Sequence, residues 1–169
     1  MTTDIGTTNP AALDSENNIP QTRFLFIACL LGLIVGVLFI LVQPLFGMDT
    51  LTSRHASLYQ KLGNWSAIPA LVIAWFAHLV VSVLYGLMSG IVVIKFVQLR
   101  FVVLFTLAFS WVTTVIAPPA NAIIVQLVSF QNIQSDNLPG LNFNLDEKFV
   151  LHLLFFGVIT SALYAYKNK

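Results

Sequence analysis

Charge is scarce in this sequence. Eight basic and seven acidic residues make up 9% of its 169 positions, where a soluble domain carries about a quarter. That shortage excludes a soluble globular domain. A net charge of +1, with no basic stripe, also leaves no footprint for nucleic acid. Cysteine occurs once, as Cys29 inside an apolar run, so no intramolecular disulfide can form and a small-residue packing role is the natural reading. Signatures of catalysis are missing as well. The chain has no HExxH, no glycine-rich phosphate loop, no paired intramembrane carboxylate, and no thiol or hydroxyl with an acid–base partner at useful spacing. Nor does it show the internal duplication common in carriers. These absences point to a protein that is not an enzyme.

What the chain does have is apolar length: 57% of its residues are hydrophobic. Four runs, Phe24–Val42, Ala70–Ile94, Phe101–Ala117 and Phe149–Tyr166, contain no Asp, Glu, Lys or Arg. At ~1.5 Å per residue, even the shortest covers most of a ~30 Å hydrocarbon core. The expected fold is all-α and polytopic: a four-helix transmembrane domain over 23–169, with spans at about 24–42, 70–94, 101–117 and 149–166. Residues 1–22 are polar, rich in Thr, Asn and Pro, and are expected to form a disordered tail. They lack the basic start and early apolar stretch of a secretory signal, so the first run reads as a retained helix.

Lys and Arg favour the cytoplasmic side of a membrane. Arg23, Lys95, Arg100, Lys167 and Lys169 fall on one side of a four-span chain, and Arg54, Lys61 and Lys148 on the other. Both termini are therefore expected in the cytoplasm, with outer loops at 43–69 and 118–148. Pro44 and Gly47 are expected to close the first span, Pro69 to open the second, and Pro118–Pro119 to terminate the third. Within the first outer loop, Leu51, Leu58, Leu62 and Trp65 lie near helical spacing and suggest an interfacial helix. The apolar stretch 120–130 is too short to span and is expected on the surface or as a re-entrant segment. Residues 131–144 read as an irregular loop.

Helices in lipid associate by close packing of small residues. Ala28, Gly32 and Gly36 lie four apart on the first span, and Gly86 and Gly90 on the second. Two readings fit these stripes, packing within the chain and a homo-oligomer face. Thr106, Ser110 and Thr113 share one side of the third span, where hydroxyls can bond backward to their own helix.

The second span also carries a polar seam. His78, Ser82, Tyr85, Gly86 and Ser89 fall at i, i+4, i+7, i+8 and i+11, one helical stripe, on a helix otherwise aliphatic or aromatic. Such a seam should face the bundle interior, because an unsatisfied polar group in lipid is costly. His152 lies one turn into the fourth span, and both histidines fall in the outer half of the membrane in this topology. Three readings stay open. In the first, the imidazoles are structural and donate hydrogen bonds across the bundle. They could instead handle protons or a transition metal, with His55, Asp146 and Glu147 adding ligands at the mouth. Or they could ligate a b-type haem between facing helices. Without haem or metal, the chain needs no cofactor. Its partners are the lipid bilayer and either copies of itself or a larger membrane complex, in which it would be an accessory subunit.

Three segments resemble the YagU-type family of small bacterial inner-membrane proteins. They are GLIVGVLFILVQPLF (32–46), AHLVVSVLYGLMSG (77–90, with His78, Ser82 and Tyr85-Gly86), and LPGLNFNLDEKFVLHLLFFGVITSALYAYKNK (138–169). The last joins a proline-containing loop, an acidic residue, a histidine at a helix start (His152) and a basic tail. The chain departs from the family in a shorter 43–69 loop, a short C-terminal tail and an additional N-terminal extension. The resemblance implies a multi-pass inner-membrane protein tied to acid or envelope stress, and it draws attention to His78 and His152.

Overall fold

A computed structural model describes residues 19–46, 49–96 and 98–168. Regular structure among them is entirely helical: α1 (Gln21–Val42), α2 (Leu51–Gly63), α3 (Ala67–Lys95), α4 (Leu99–Val128) and α5 (Glu147–Lys167), with short 3-10 turns at Gln43–Phe46 and Ser135–Asn137. Four segments of 25, 29, 30 and 21 residues are long and apolar enough to cross a membrane, and α2 is not one of them. Their outward faces expose Phe26, Val72, Phe76, Leu104 and Val158, the apolar surface that lipid covers. The chain is an all-α, multi-pass membrane protein. Most of the expected tail, and Gly47, lie outside the described residues, while residues 21 and 22 already belong to α1.

The prolines do not end the third span, as had been expected from the sequence; α4 runs through Pro118 and Pro119 to Val128. A proline has no N–H for the carbonyl four residues back, so these two release the carbonyls of Thr114 and Val115. The Asn142 N–H donates to the Val115 carbonyl at 3.0 Å. The chain after α4 therefore folds back and supplies a donor that the helix lacks, which is how a broken ladder is tolerated at membrane depth. Residues 120–128, expected on the surface or re-entrant, are the final turns of this helix, and the connection to α5 spans only 129–146.

Caps fix the remaining ends. Thr50 accepts from the Ser53 N–H at 3.1 Å to start α2. Asn64, at φ 56°, ends α2 in the left-handed conformation that asparagine tolerates, and the Trp65 N–H returns to the Tyr59 carbonyl. Asp146 caps α5 by accepting from the Lys148 and Phe149 N–H groups. At the far end, Lys167 donates to the Val93 and Ile94 carbonyls and so closes the C-terminus of α3.

Helix α2 is amphipathic, as its spacing suggests: its fully buried face is Thr52, Ala56 and Tyr59, Leu58 and Trp65 of the expected stripe pack beside it, and Leu62 is exposed. It packs across the ends of α3 and α4. Trp65 Nε1 donates to Ser129 Oγ at 3.0 Å, and Gln131 Nε2 donates to the Leu62 carbonyl at 2.7 Å. Below it, α1 and α3 form the most extensive helix pair. Their small-residue stripes face each other: a Cβ on Gly32 would lie 2.9 Å from the Gly86 Cα, and one on Gly90 would lie 2.6 Å from the Ala28 Cβ. Both stripes are thus used within the chain. Phe24, Val93, Phe155, Phe156 and Ile159 fill the core below, continued by the rings of Phe96, Phe105 and Phe109.

Candidate functional site: a cavity lined by histidines

Between the α2 end of the bundle and the four long helices lies a cavity of about 330 Å³. All three histidines of the chain line it: His55 from α2, His78 from α3 and His152 from α5. Arg54, Tyr59 and Lys148 join them, with Gln43, Asn121, Thr113 and Thr114 as uncharged polar groups. Among the described residues no aspartate or glutamate lines the cavity. Asp146 and Glu147, considered as ligands at the mouth, are the cap and exposed first residue of α5 and do not reach it.

The hydrogen bonds assign the neutral tautomers of the two helix-borne histidines. His78 is buried, and its Nε2 lies 3.1 Å from the Gly36 carbonyl on α1. A carbonyl only accepts, so Nε2 carries the proton and Nδ1 is left bare. Gly36 makes this approach available: a Cβ there would meet Ser82 Cβ at 2.6 Å and crowd the imidazole. His152 Nδ1 lies 2.9 Å from Thr114 Oγ1, whose own proton is donated to the Ser110 carbonyl at 2.8 Å. His152 must therefore donate from Nδ1, leaving Nε2 bare. Each imidazole keeps one unused acceptor nitrogen. Among the described residues no group of three or more His, Cys, Asp or Glu is placed to hold a metal ion.

His55 is different because it hangs from α2, outside the spans. Burial, reinforced by the nearby His78 and Arg54 charges, pushes its pKa down to about 4. On the same helix, Tyr59 is almost wholly buried, and burial pushes its hydroxyl upward. For Asp146, burial works upward, but hydrogen bonds from Asn142, Phe149 and Lys148 outweigh it and hold the carboxyl below its usual range.

The rest of the seam lies between α1 and α3. Ser82 sits beside Gly36 and 3.4 Å from His78 Nε2, and Ser89 turns back to the Tyr85 carbonyl at 2.9 Å. Tyr85 forms the cavity floor and packs its ring on Phe155 and Phe156. Cys29 is half-buried on α1 and takes no part in the cavity. Sequence reasoning missed Thr114, although it continues the Thr106–Ser110 spacing by one more turn. Arg54 and Tyr59 were missed because only the docking of α2 brings them to the cavity.

No family model, no curated protein and no solved structure matches the chain.

Proposed function

We propose that this protein is a non-enzymatic inner-membrane protein that responds to external protons and so supports tolerance of acid or envelope stress. The observation that carries this reading is the convergence of all three histidines on one cavity with no carboxylate among its described lining residues. The charge asymmetry of the loops supports an outer position for that cavity and cytoplasmic termini. The resemblance to the YagU-type family supports the link to stress.

The groups facing the cavity set the response. Helix α2 presents Arg54, His55 and Tyr59; α3 presents His78 and Tyr85; α5 presents Lys148 and His152, with Asp146 just beyond. Helices α1 and α4 and the turn after α1 contribute only uncharged groups, among them Gln43, Thr113, Thr114 and Asn121. Protons taken up by the bare nitrogens of His78 and His152 would add positive charge beside Arg54 and Lys148. Repulsion then loosens α2 from the bundle. The test is proton flux into proteoliposomes carrying a pH-sensitive dye. Flux should rise as external pH falls from 8 to 5, and His78→Ala with His152→Ala should flatten the rise. Flux and stability unchanged across that range, in both wild type and variant, would end the proposal.

The bare nitrogens of His78 and His152, on two different helices of one cavity, favour a second reading. In it the protein is an accessory subunit of a larger membrane complex that ligates a b-type haem or a transition metal. Reduced and oxidised absorbance spectra with metal analysis of the purified protein separate the two readings. A haem band or stoichiometric metal supports the second, and a colourless, metal-free protein removes it.

A further inference from the structure

The cavity has a second chemical character that does not depend on histidine titration. Two of its polar atoms are buried without any hydrogen-bond partner: Arg54 Nε and the Tyr59 hydroxyl. Tyr59 is only 1% exposed. A buried donor left unsatisfied costs free energy, and a buried guanidinium edge costs more than a hydroxyl. Both atoms belong to α2 and to residues that line the cavity, and Lys148 adds a second cation from the start of α5. Two cations and an unpartnered hydroxyl, with no carboxylate among the described lining residues, make the cavity a receptor for an anion. Much of the remaining wall is apolar, with Phe39, Leu58, Val81, Ile124, Leu151 and Phe155, beside the three histidines and Gln43, Ser82, Thr113, Thr114 and Asn121. At about 330 Å³, the volume falls at the low end of the ~300–1,000 Å³ typical of small-molecule sites. That is room for one medium-length chain and too little for a two-chain lipid.

We infer that the cavity binds a single-chain amphipathic anion. Its carboxylate or phosphate head meets Arg54, Tyr59 and Lys148 beneath α2, and its apolar chain runs toward Phe155. The site needs no rearrangement of the bundle, because the unsatisfied donors and the empty apolar wall already adjoin.

Binding is measured on the full chain in a neutral detergent. Trp65 packs edge-on against Tyr59, with ring centroids 6.2 Å apart, and so reports on the head site once Trp75 and Trp111 are replaced by Phe. The probes are decanoate and decyl phosphate, with decanol and inorganic phosphate as controls. Saturable binding of at least one anionic probe, with neither control binding comparably, is expected; whichever anion binds more tightly assigns the head as carboxylate or phosphate. Arg54→Gln and Lys148→Gln should each weaken binding about tenfold or more, the usual effect of losing a hydrogen bond to a charged group. Lys148 lies on the exposed rim, so its replacement leaves the fold intact. Tyr59→Phe removes a hydroxyl that has no partner, so the unliganded protein should melt no lower while its affinity falls. A hydroxyl with only a structural role would give the opposite pattern. Decanol binding as tightly as the anionic probes, inorganic phosphate binding as well as they do, or unchanged affinity in Lys148→Gln and Tyr59→Phe would each overturn the inference.

Discussion

His55 shows how one residue can carry pH dependence without touching a span. In the folded protein it stays neutral down to about pH 4, whereas in the unfolded chain a histidine takes up its proton near pH 6.5. Its contribution to stability is therefore complete above about 6.5 and is lost as pH falls toward 4, a difference of about 3 kcal/mol at most. We expect the melting midpoint in mild detergent to fall across this window, and His55→Gln to fall less, read from thermal melts at pH 7.5, 6 and 4.5. The same scale shows what could be read from residues alone. The stripe of His78, Ser82, Gly86 and Ser89 was plain, since i, i+4 spacing on an apolar helix fixes one face. His55 was not, because its surroundings come from α3 and the cavity rather than from its own neighbours. The Tyr59 hydroxyl was beyond reach for a different reason: its significance lies in the partners it lacks, which only packing reveals.

Among the elements, the α1–α3 pair is set by backbone proximity and α4 by a borrowed donor. A methyl group on Gly86 would lie 2.9 Å from the Gly32 Cα and press on the Ala28 carbonyl. Neither helix backbone can yield without parting, so Gly86→Ala should cost about 1–3 kcal/mol. Gly157 on α5 faces open space, and Gly157→Ala should leave the midpoint where it is. Thermal melts of the two variants side by side make the comparison. The four apolar runs and the glycine spacing located the spans, because hydrophobic length and small-residue contact are local properties. The end of α4 was misplaced because two prolines look terminal when only a helix's own donors are counted. The donor that rescues Val115 is the Asn142 N–H, from the connection on the far side of α4, and no local pattern announces it.

For the whole molecule, an even number of spans puts both ends of the chain on one side and α2 on the other. In a background of Cys29→Ser, single cysteines at the exposed positions Ser53 and Asn168 should label from opposite faces of intact cells with an impermeant maleimide. Asn168→Cys should react only after the cytoplasm is opened; labelling of Asn168→Cys from outside with Ser53→Cys protected would invert the expected topology and turn the cavity toward the cytoplasm. The arrangement also bears on assembly. The glycine stripes are consumed between α1 and α3, which leaves lipid-facing surfaces such as Phe26, Phe76 and Leu104 for any contact with a second protein.

The seam of small residues joins α1 and α3, two membrane segments that leave the ribosome before α4 and α5. Synthesis proceeds from the N-terminus, so this hairpin can lock in the bilayer while α4 and α5 are still being translated. Thr114, Lys148 and His152 arrive later, and only their docking encloses the space above Tyr85. A polypeptide stalled after α3 would hold a finished half-bundle with no chamber, because the chamber exists only once α4 and α5 have docked.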